Sequence, residues 1–559
     1  MSTIPTPALA PLYYLANFQT ALDWISARYS DLLSPEEGEF IQQFSTLATP
    51  SRALLVRLAM RKGEHFRSSK IDYDEIGDIT QAAQPLCALG WLRTDAAIDL
   101  PTVFNLLRKD EILRQLPTAG CLVPSGRTGL TKTALLEQLM TALESADSSL
   151  REQPLRNWCP GLDDSLYSLT VNALCDRLRL MFFGNLNQTW AEFVLADLDI
   201  FRYEVVAIAP ESRGFRCRED VDYYLHWHHC REAFEGGQPI HDVLELLGEP
   251  VTSNPYLLAR HDKLVFRMAR QLEREGAWDR ALSLYRNCGH AGARQRRIRI
   301  LENSGSLQEA RALATEALKA PESDSEQQLV ERALQRLDRR LGLPGRRVPA
   351  QHPAGRIELE LPRPDHGSVE RAVCEHLATS EAPVYYVENA LISSLFGLLC
   401  WKAIFAPVPG AFFHPFHNGP VDLHSSDFRQ RRADLFDECL GHLQTGRYQE
   451  VIRTHYASKF GIQSPFVYWG LSQEILDLAL LCLPAEHLHG WFERLLRDIR
   501  ANRAGMPDLI QFWPRERRYR MIEVKGPGDR LQDNQRRWIA FCARHDMPVH
   551  VCHVQWTET

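Results

Sequence analysis

The chain lacks the features that would send a protein out of the cell or into a membrane. Its 13 cysteines contain no C-x-x-C pair and are odd in number, which points to reduced thiols packed as small apolar side chains. The opening residues, MSTIPTPALAPLYYLANF, have no basic stretch leading into an apolar core, so a secretory signal is not expected. The longest apolar run, Ala390 to Ala406, is interrupted by Ser393, Ser394 and Lys402; it reads as a buried helix, too short and too polar to span a bilayer. Low-complexity tracts and long charge blocks are missing as well. There is little excess charge: a net −7 over 559 residues does not advertise a nucleic-acid binder. That balance excludes less than the others, because nucleic acid is gripped by local basic patches and not by the total. The expectation is a soluble, intracellular protein with no membrane partner.

What is present is an ordinary globular composition, 45% apolar and 24% charged. At this length one hydrophobic core does not suffice, and three or four domains are expected. Residues from Leu12 to about Asp110 read as short amphipathic helices, such as Tyr13 to Tyr29 and Ser51 to Arg61. Arg57, Arg61, Lys62, Arg67 and Lys70 lead into KIDYDEIGDI, which reads as helical; the basic turn reads either as a strip along phosphates or as a solvated face. In LVPSGRTGLTKTALLEQLM (122–140), a Pro-Ser-Gly turn leads into a helix begun by Thr131 or Thr133. The segment HWHHC (226–230) holds ligand-type residues without a second cluster at zinc-site spacing, and reads as a helix with incidental histidines.

From about Arg260 the pattern changes to paired helices. Leu272-Glu273-x-x-Gly276-x-x-x-x-Ala281 returns as Leu301-Glu302-x-x-Gly305-x-x-x-x-Ala310, with glycine in the turn and alanine at a close helix crossing. This is the logic of tetratricopeptide-like repeats. Between the two units Arg294, Arg296, Arg297 and Arg299 stand within six residues, either as a phosphate-binding strip or as partners in surface ion pairs. A Pro-, Gly- and Arg-rich stretch, 341–355, reads as a linker.

The sharpest chemistry lies in the last 60 residues. Gly505-Met-Pro-Asp508-Leu-Ile-Gln-Phe-Trp reads as a turn entering a strand, and Tyr519-Arg-Met-Ile-Glu523-Val-Lys525 as the strand returning after a polar turn. Period-two alternation puts Glu523 and Lys525 on one face, and the hairpin brings Asp508 beside Glu523. Two carboxylates are suited to hold a hard divalent cation such as Mg²⁺ or Mn²⁺ through oxygen. Such a cation polarises a phosphoryl oxygen and acidifies a bound water, while an ammonium orients that water or offsets charge in the transition state. This is the PD-(D/E)xK pattern of metal-dependent nucleases. After Lys525 a Gly-Pro-Gly turn ends the strand, and a helix opening near Asp529 carries Gln535 and Trp538 on one face. Upstream, Glu388 stands at the mouth of the strongly apolar ENALISSLFGLLCWKAIF, where a charge points to solvent or a ligand, or caps the helix.

These segments carry a resemblance. RAGMPDLIQFW, IEVKGPGDRLQDNQRRW and the closing VHVCHV resemble the VRR-NUC domain, and the Glu388 helix is similar to that of Fanconi-associated nucleases. The Gly-Leu-Thr-Lys-Thr-Ala-Leu-Leu core around Lys132 resembles the second half of a SAP module, with its first helix taken loosely from Val103 to Leu116; a plain helical hairpin is the alternative. The resemblance implies a bacterial-type member: mostly α, with a SAP-like segment, tetratricopeptide-like repeats and a C-terminal α/β PD-(D/E)xK domain. The expected division is 1–98, a helical DNA-binding region; 99–225, the SAP-like segment and connecting helices; 226–350, the repeats; and 371–559, the nuclease. It implies that Glu388, Asp508, Glu523 and the backbone carbonyl of Val524 bind metal, that Lys525 is catalytic, and that Gln535 is an active-site accessory. Arg500 and Arg503 match basic positions that hold a 5′-terminal phosphate, their alternative reading being cations at a helix C-terminus. Lys132, Arg294, Arg296 and Arg297 complete the expected DNA contacts.

The activity so implied is structure-selective cutting near branch points, favouring 5′ flaps, with 5′-to-3′ exonuclease action in interstrand crosslink repair. The substrate would be branched or flapped DNA with a 5′ phosphate. A monomer fits the asymmetric helical arm, with a dimer left open. The expected location is the bacterial cytoplasm at the nucleoid, or the nucleus in a eukaryote, without recruitment through ubiquitin. Two rivals stand beside this reading: a Holliday-junction-type resolvase, and a catalytically inactive DNA-binding repair adaptor.

Overall fold

In the computed structural model the described residues are 11–115, 130–144, 152–190, 201–344, 354–364 and 367–557. The chain divides into two compact units, Met1–Ile200 and Phe201–Thr559.

The first unit is built on short helices. Tyr13–Tyr29 buries Phe18, Ala21, Leu22 and Ile25 at helical spacing, and Pro35–Thr46 starts at a capping box formed by Ser34 and Glu37. The helix expected over Ser51–Arg61 runs Thr49–Ala59. Two expectations are corrected here. KIDYDEIGDI is not helical: it passes through a 3₁₀ turn at Ser68–Lys70 and an irregular stretch, and the next helix begins only at Ile79. Gly77 takes a positive φ and the Asp78 carboxylate caps Gln81 N–H, which is a helix start and not a helix interior. The helix taken from Val103 to Leu116 is two helices, Leu100–Leu106 and Lys109–Gln115. Glu111 turns back to accept the Arg108 N–H and so starts the second one. Thr131 caps the helix Lys132–Glu144 through Ala134 N–H, and Leu135 and Leu139 bury against Val103 and Phe104. The Pro-Ser-Gly turn at 124–126 lies outside the described residues.

In the second unit, a 3₁₀ turn at Pro210–Ser212 precedes the helix Arg218–Glu235, which carries HWHHC with Cys230 Sγ 3.8 Å from His226 Nε2. The repeat helices follow: Pro255–Arg274, Trp278–Arg286, Ala293–Asn303, Leu307–Lys319 and Asp324–Arg340. Gly276 and Gly305 both take the left-handed φ that lets each hairpin turn tightly, and Ala281 and Ala310 are wholly buried where helices cross. The run ARQRRIRI is thus a helix of the array.

A five-stranded sheet closes the chain. Its strands are β1 (Gly355–Pro362), β2 (Val384–Tyr386), β3 (Leu509–Trp513), β4 (Arg518–Lys525) and β5 (Val549–Thr557), in the order β1-β5-β4-β3-β2. β5 lies parallel to both β1 and β4, while β3 is antiparallel to β4 and β2. The sheet therefore takes in a strand ahead of residue 371. Helix α1 (Val369–Leu377) places Val373 on Val384, Leu509, Ile522 and Val524, the apolar side of the sheet. Helix α2 (Leu391–Leu399) is buried along its length, as the long apolar run required. Helix α3 (Asp533–Arg544) begins four residues later than expected, because Gly526–Asp529 forms a turn closed on the Asp529 carboxylate. Among the described residues no helix is long and apolar enough to cross a membrane.

Candidate metal centre

The hairpin register sets the centre of the site. Leu509 pairs with Ile522, so one step further out Asp508 stands opposite Glu523. With Ile522 and Val524 turned to the apolar side, alternation sends Glu523 and Lys525 to the other face. Asp508 Oδ2 accepts the Val524 N–H at 2.8 Å, which locks the carboxylate to the strand that carries its partner. Lys525 Nζ lies 2.6 Å from Glu523 Oε1 as an ion pair, yet neither oxygen of Glu523 accepts a well-aligned hydrogen bond, although both are fully buried.

Electrostatically the cluster is short of positive charge. Burial, then the neighbouring Asp508, pushes the Glu523 carboxyl up to about 7 in spite of Lys525. Burial likewise raises Asp508 to about 6, against the Val524 hydrogen bond and Lys525 and with Glu388 adding to the rise. Two strongly desolvated oxygen-donor groups, one of them with both oxygens lacking an aligned hydrogen bond, fit a hard divalent cation. Glu388, on the segment between β2 and α2, is near enough to raise Asp508 and Glu523, but among the described residues it does not close with them into a three-residue metal-holding group. It is exposed; Tyr386 donates its hydroxyl to one carboxylate oxygen, and Asn389 donates its amide to the other at 3.0 Å. The Glu388 bond and burial push the Tyr386 phenol well above its ordinary range. Glu370 on α1, which the sequence reading passed over, is close enough to raise Asp508 and Tyr386 too. Its signal was a lone Glu on an amphipathic helix, which nothing in the sequence separates from a solvated face.

Gln535 is placed differently. Its carboxamide oxygen accepts the Gln532 N–H at 2.9 Å in a capping box at the start of α3. That first turn is nevertheless pressed on the Asp508 loop. Gly505, at φ +90°, lies so near Asn534 that a Cβ there would sit 2.8 Å from the Asn534 backbone.

Of the expected DNA-contacting cations, Arg500 is exposed with no ion pair among the described residues, and Arg503 donates to the Pro465 carbonyl. Both press on His424, whose pKa falls through burial and then through these two arginines; burial followed by Arg500 and Lys263 does the same to His290. Arg500, Arg503 and Lys263 thus bring positive charge to His424 and His290. Lys132 donates to the Leu107 carbonyl at 2.8 Å. Arg294 is bound bidentately by Glu326, and Arg296 reaches Glu273 at 3.3 Å, so the arginine strip largely ties repeat helices together. Arg297 has no ion pair among the described residues. The N-terminal basic turn is similarly committed, Arg57 to Glu75 and Arg67 to Asp164 and Glu111.

Three domain families match this chain: the VRR-NUC domain over 443–556, the FAN1 HTH domain over 12–93, and the Fanconi anemia-associated nuclease SAP domain over 97–158. A Fanconi-associated nuclease 1 homolog of Pseudomonas aeruginosa is 54% identical over 557 residues, covering 99% of this chain and 98% of the relative. A rice homolog is 25% identical, covering 97% of this chain and 62% of its own length. Two crystal structures of paFAN1, bound to 5′-flap DNA with a gap, superpose with TM-scores of 0.89 and 0.86 at 53% and 52% identity. The first match covers 99% of this chain and all of that one, the second 98% and all of that one. A nuclease domain of this type implies a divalent metal ion.

Proposed function

Because the chain belongs to the Fanconi-associated nuclease family, we propose that its carboxylate cluster cuts 5′ flaps in DNA with Mg²⁺ or Mn²⁺. The observation that carries this reading is the buried pair Asp508 and Glu523, set opposite each other with Glu523 left without an aligned hydrogen bond. Asp508, Glu523, Glu388 and the Val524 carbonyl would hold the metal, which when bound polarises the scissile phosphate and acidifies a water. The chain's own groups do the rest. Asp508 is fixed by the Val524 N–H, which commits one of its oxygens and would leave the other for the cation. Lys525, 2.6 Å from Glu523, keeps its ammonium on the carboxylate face, where it donates to the attacking water or to a phosphate oxygen. Gln535 caps the start of α3, whose Asn534 packs on the Asp508 loop at Gly505.

Arg500 and Arg503, with Lys263, would supply the positive charge that a 5′-terminal phosphate calls for. Binding then rests on phosphates and DNA shape, which favours branches over base sequence. Lys132 and Arg297 would add backbone contacts. The family role, interstrand crosslink repair with 5′-to-3′ trimming from a branch, is proposed for this chain in the bacterial cytoplasm at the nucleoid, as a monomer. The four-part division, with the nuclease part starting at β1, is the working description of the chain.

The test is a labelled 5′-flap duplex with Mg²⁺ or Mn²⁺ against EDTA, and Asp508→Ala beside the parent protein. Cutting near the junction is expected only with metal, and Asp508→Ala should lower the rate by about 10³-fold or more, as removing a metal-holding carboxylate does. Tight flap binding without cutting by the parent protein would leave it a DNA-binding adaptor.

A further inference from the structure

Glu388 is the outlying member of the cluster, and its exposure calls for something to hold it. The segment Tyr386–Asn389 supplies this. Asn389 takes a left-handed φ of +54°, a conformation that asparagine adopts more readily than other residues with a side chain, glycine apart. In that conformation its carboxamide works in two directions. Its Nδ2 donates to Glu388 Oε1 at 3.0 Å, and its Oδ1 accepts the Met506 N–H at 3.1 Å, two residues before Asp508. Next to it Val387 N–H donates to the Asp508 carbonyl at 2.9 Å. The Tyr386 hydroxyl holds the remaining oxygen of Glu388.

Resting on the proposed role of Glu388 as a metal ligand, we infer that Asn389 is a positioning residue. It orients the Glu388 carboxylate and ties it to the turn that carries Asp508. One amide thereby sets the spacing of two carboxylates that come from segments more than a hundred residues apart. An unrestrained Glu at an exposed position would sample several rotamers and would surrender that freedom on meeting a cation. Asn389 and Tyr386 meet part of this ordering cost before the cation arrives, as outer partners of metal ligands do.

The experiment uses the full chain and Mn²⁺ alone, with its dissociation constant read by calorimetry, and flap cutting followed separately. Asn389→Gly accepts the same φ without strain and removes both side-chain bonds, so the fold is retained and checked by its melting temperature. Mn²⁺ binding is expected to weaken by about 10-fold, within the range for lost outer partners, while kcat at saturating Mn²⁺ changes little. Tyr386→Phe, which removes one of the two bonds to Glu388, should show a smaller shift in the same direction. The decisive comparison repeats Asn389→Gly in a Glu388→Ala background. If Asn389 acts through Glu388, the added loss vanishes there. An equal loss in both backgrounds, or none in either, overturns the inference. If Glu388→Ala itself leaves Mn²⁺ binding and cutting intact, the proposed ligand set falls, an outcome separate from failure of Asn389→Gly alone.

Discussion

At the scale of single residues, the metal-free site works against the fold. Asp508 and Glu523 ionise near 6 and 7 in the folded chain, above their ordinary 3.8 and 4.5. A carboxyl whose folded pKa is raised favours the fold below its unfolded pKa, and that contribution is lost as pH rises through the folded value. In EDTA the melting temperature should therefore fall between about pH 4 and pH 7 through these groups. A divalent cation competes with those protons, so the stabilisation it brings should grow from about pH 6 to pH 8. Glu523→Gln is expected to flatten the slope in EDTA, raise the metal-free melting temperature at about pH 8, and end cutting. Thermal melts across pH, with and without Mn²⁺, check all three; a slope unchanged by Glu523→Gln would remove this account. Asp508, Glu523 and Lys525 were legible in the sequence because strand alternation and a short hairpin fix their faces. The clip around Glu388 was not. The left-handed φ of Asn389 and its bond to Met506 exist only once distant segments meet.

At the scale of elements, the last repeat helix, Asp324–Arg340, is joined to the nuclease part by charge in two unlike ways. Arg332 forms a bidentate pair with Asp533 at the start of α3, both roughly half exposed. Arg494 is buried between the Trp538 and Phe541 rings and reaches Asp324 at 3.0 Å; burial lowers its pKa to about 10. Removing an exposed partner loses little, so Asp533→Ala should cost about 0.5 kcal/mol. Asp324→Ala strands a buried guanidinium and should cost about 3 kcal/mol, read by urea unfolding of the metal-free protein. Equal costs would show that burial does not govern these pairs. The repeats were legible from recurring glycine and alanine, since both residue types answer a local geometric demand. KIDYDEIGDI misled because its apolar spacing suits a helix, while Gly77 and Asp78 impose the start of the next one. The arginine strip shows the limit in another form: composition supplies the cations, but only the packed helices reveal that Glu326 and Glu273 already engage Arg294 and Arg296.

At the scale of the whole molecule, a chain of net −7 must grip DNA through local patches, since its overall field opposes the phosphates. Flap affinity should fall linearly with salt on logarithmic axes, and Arg500→Ala should reduce that slope by about one unit without altering base preference. A fluorescence titration at several salt concentrations measures it, and an unchanged slope would take Arg500 out of the interface. The sheet carries a further consequence. β4, which bears Glu523 and Lys525, is bonded on both sides by β3 and β5, whereas β2, just before Glu388, lies at the edge against β3 alone. Backbone amides of β4 should therefore trade hydrogen for deuterium only when the sheet opens as a whole, and those near Tyr386 far sooner. On the proposed ligand set, one half of the site stands on an interior strand and the other beside an edge strand, so the timing of cation capture should be set by the edge strand and not by the core.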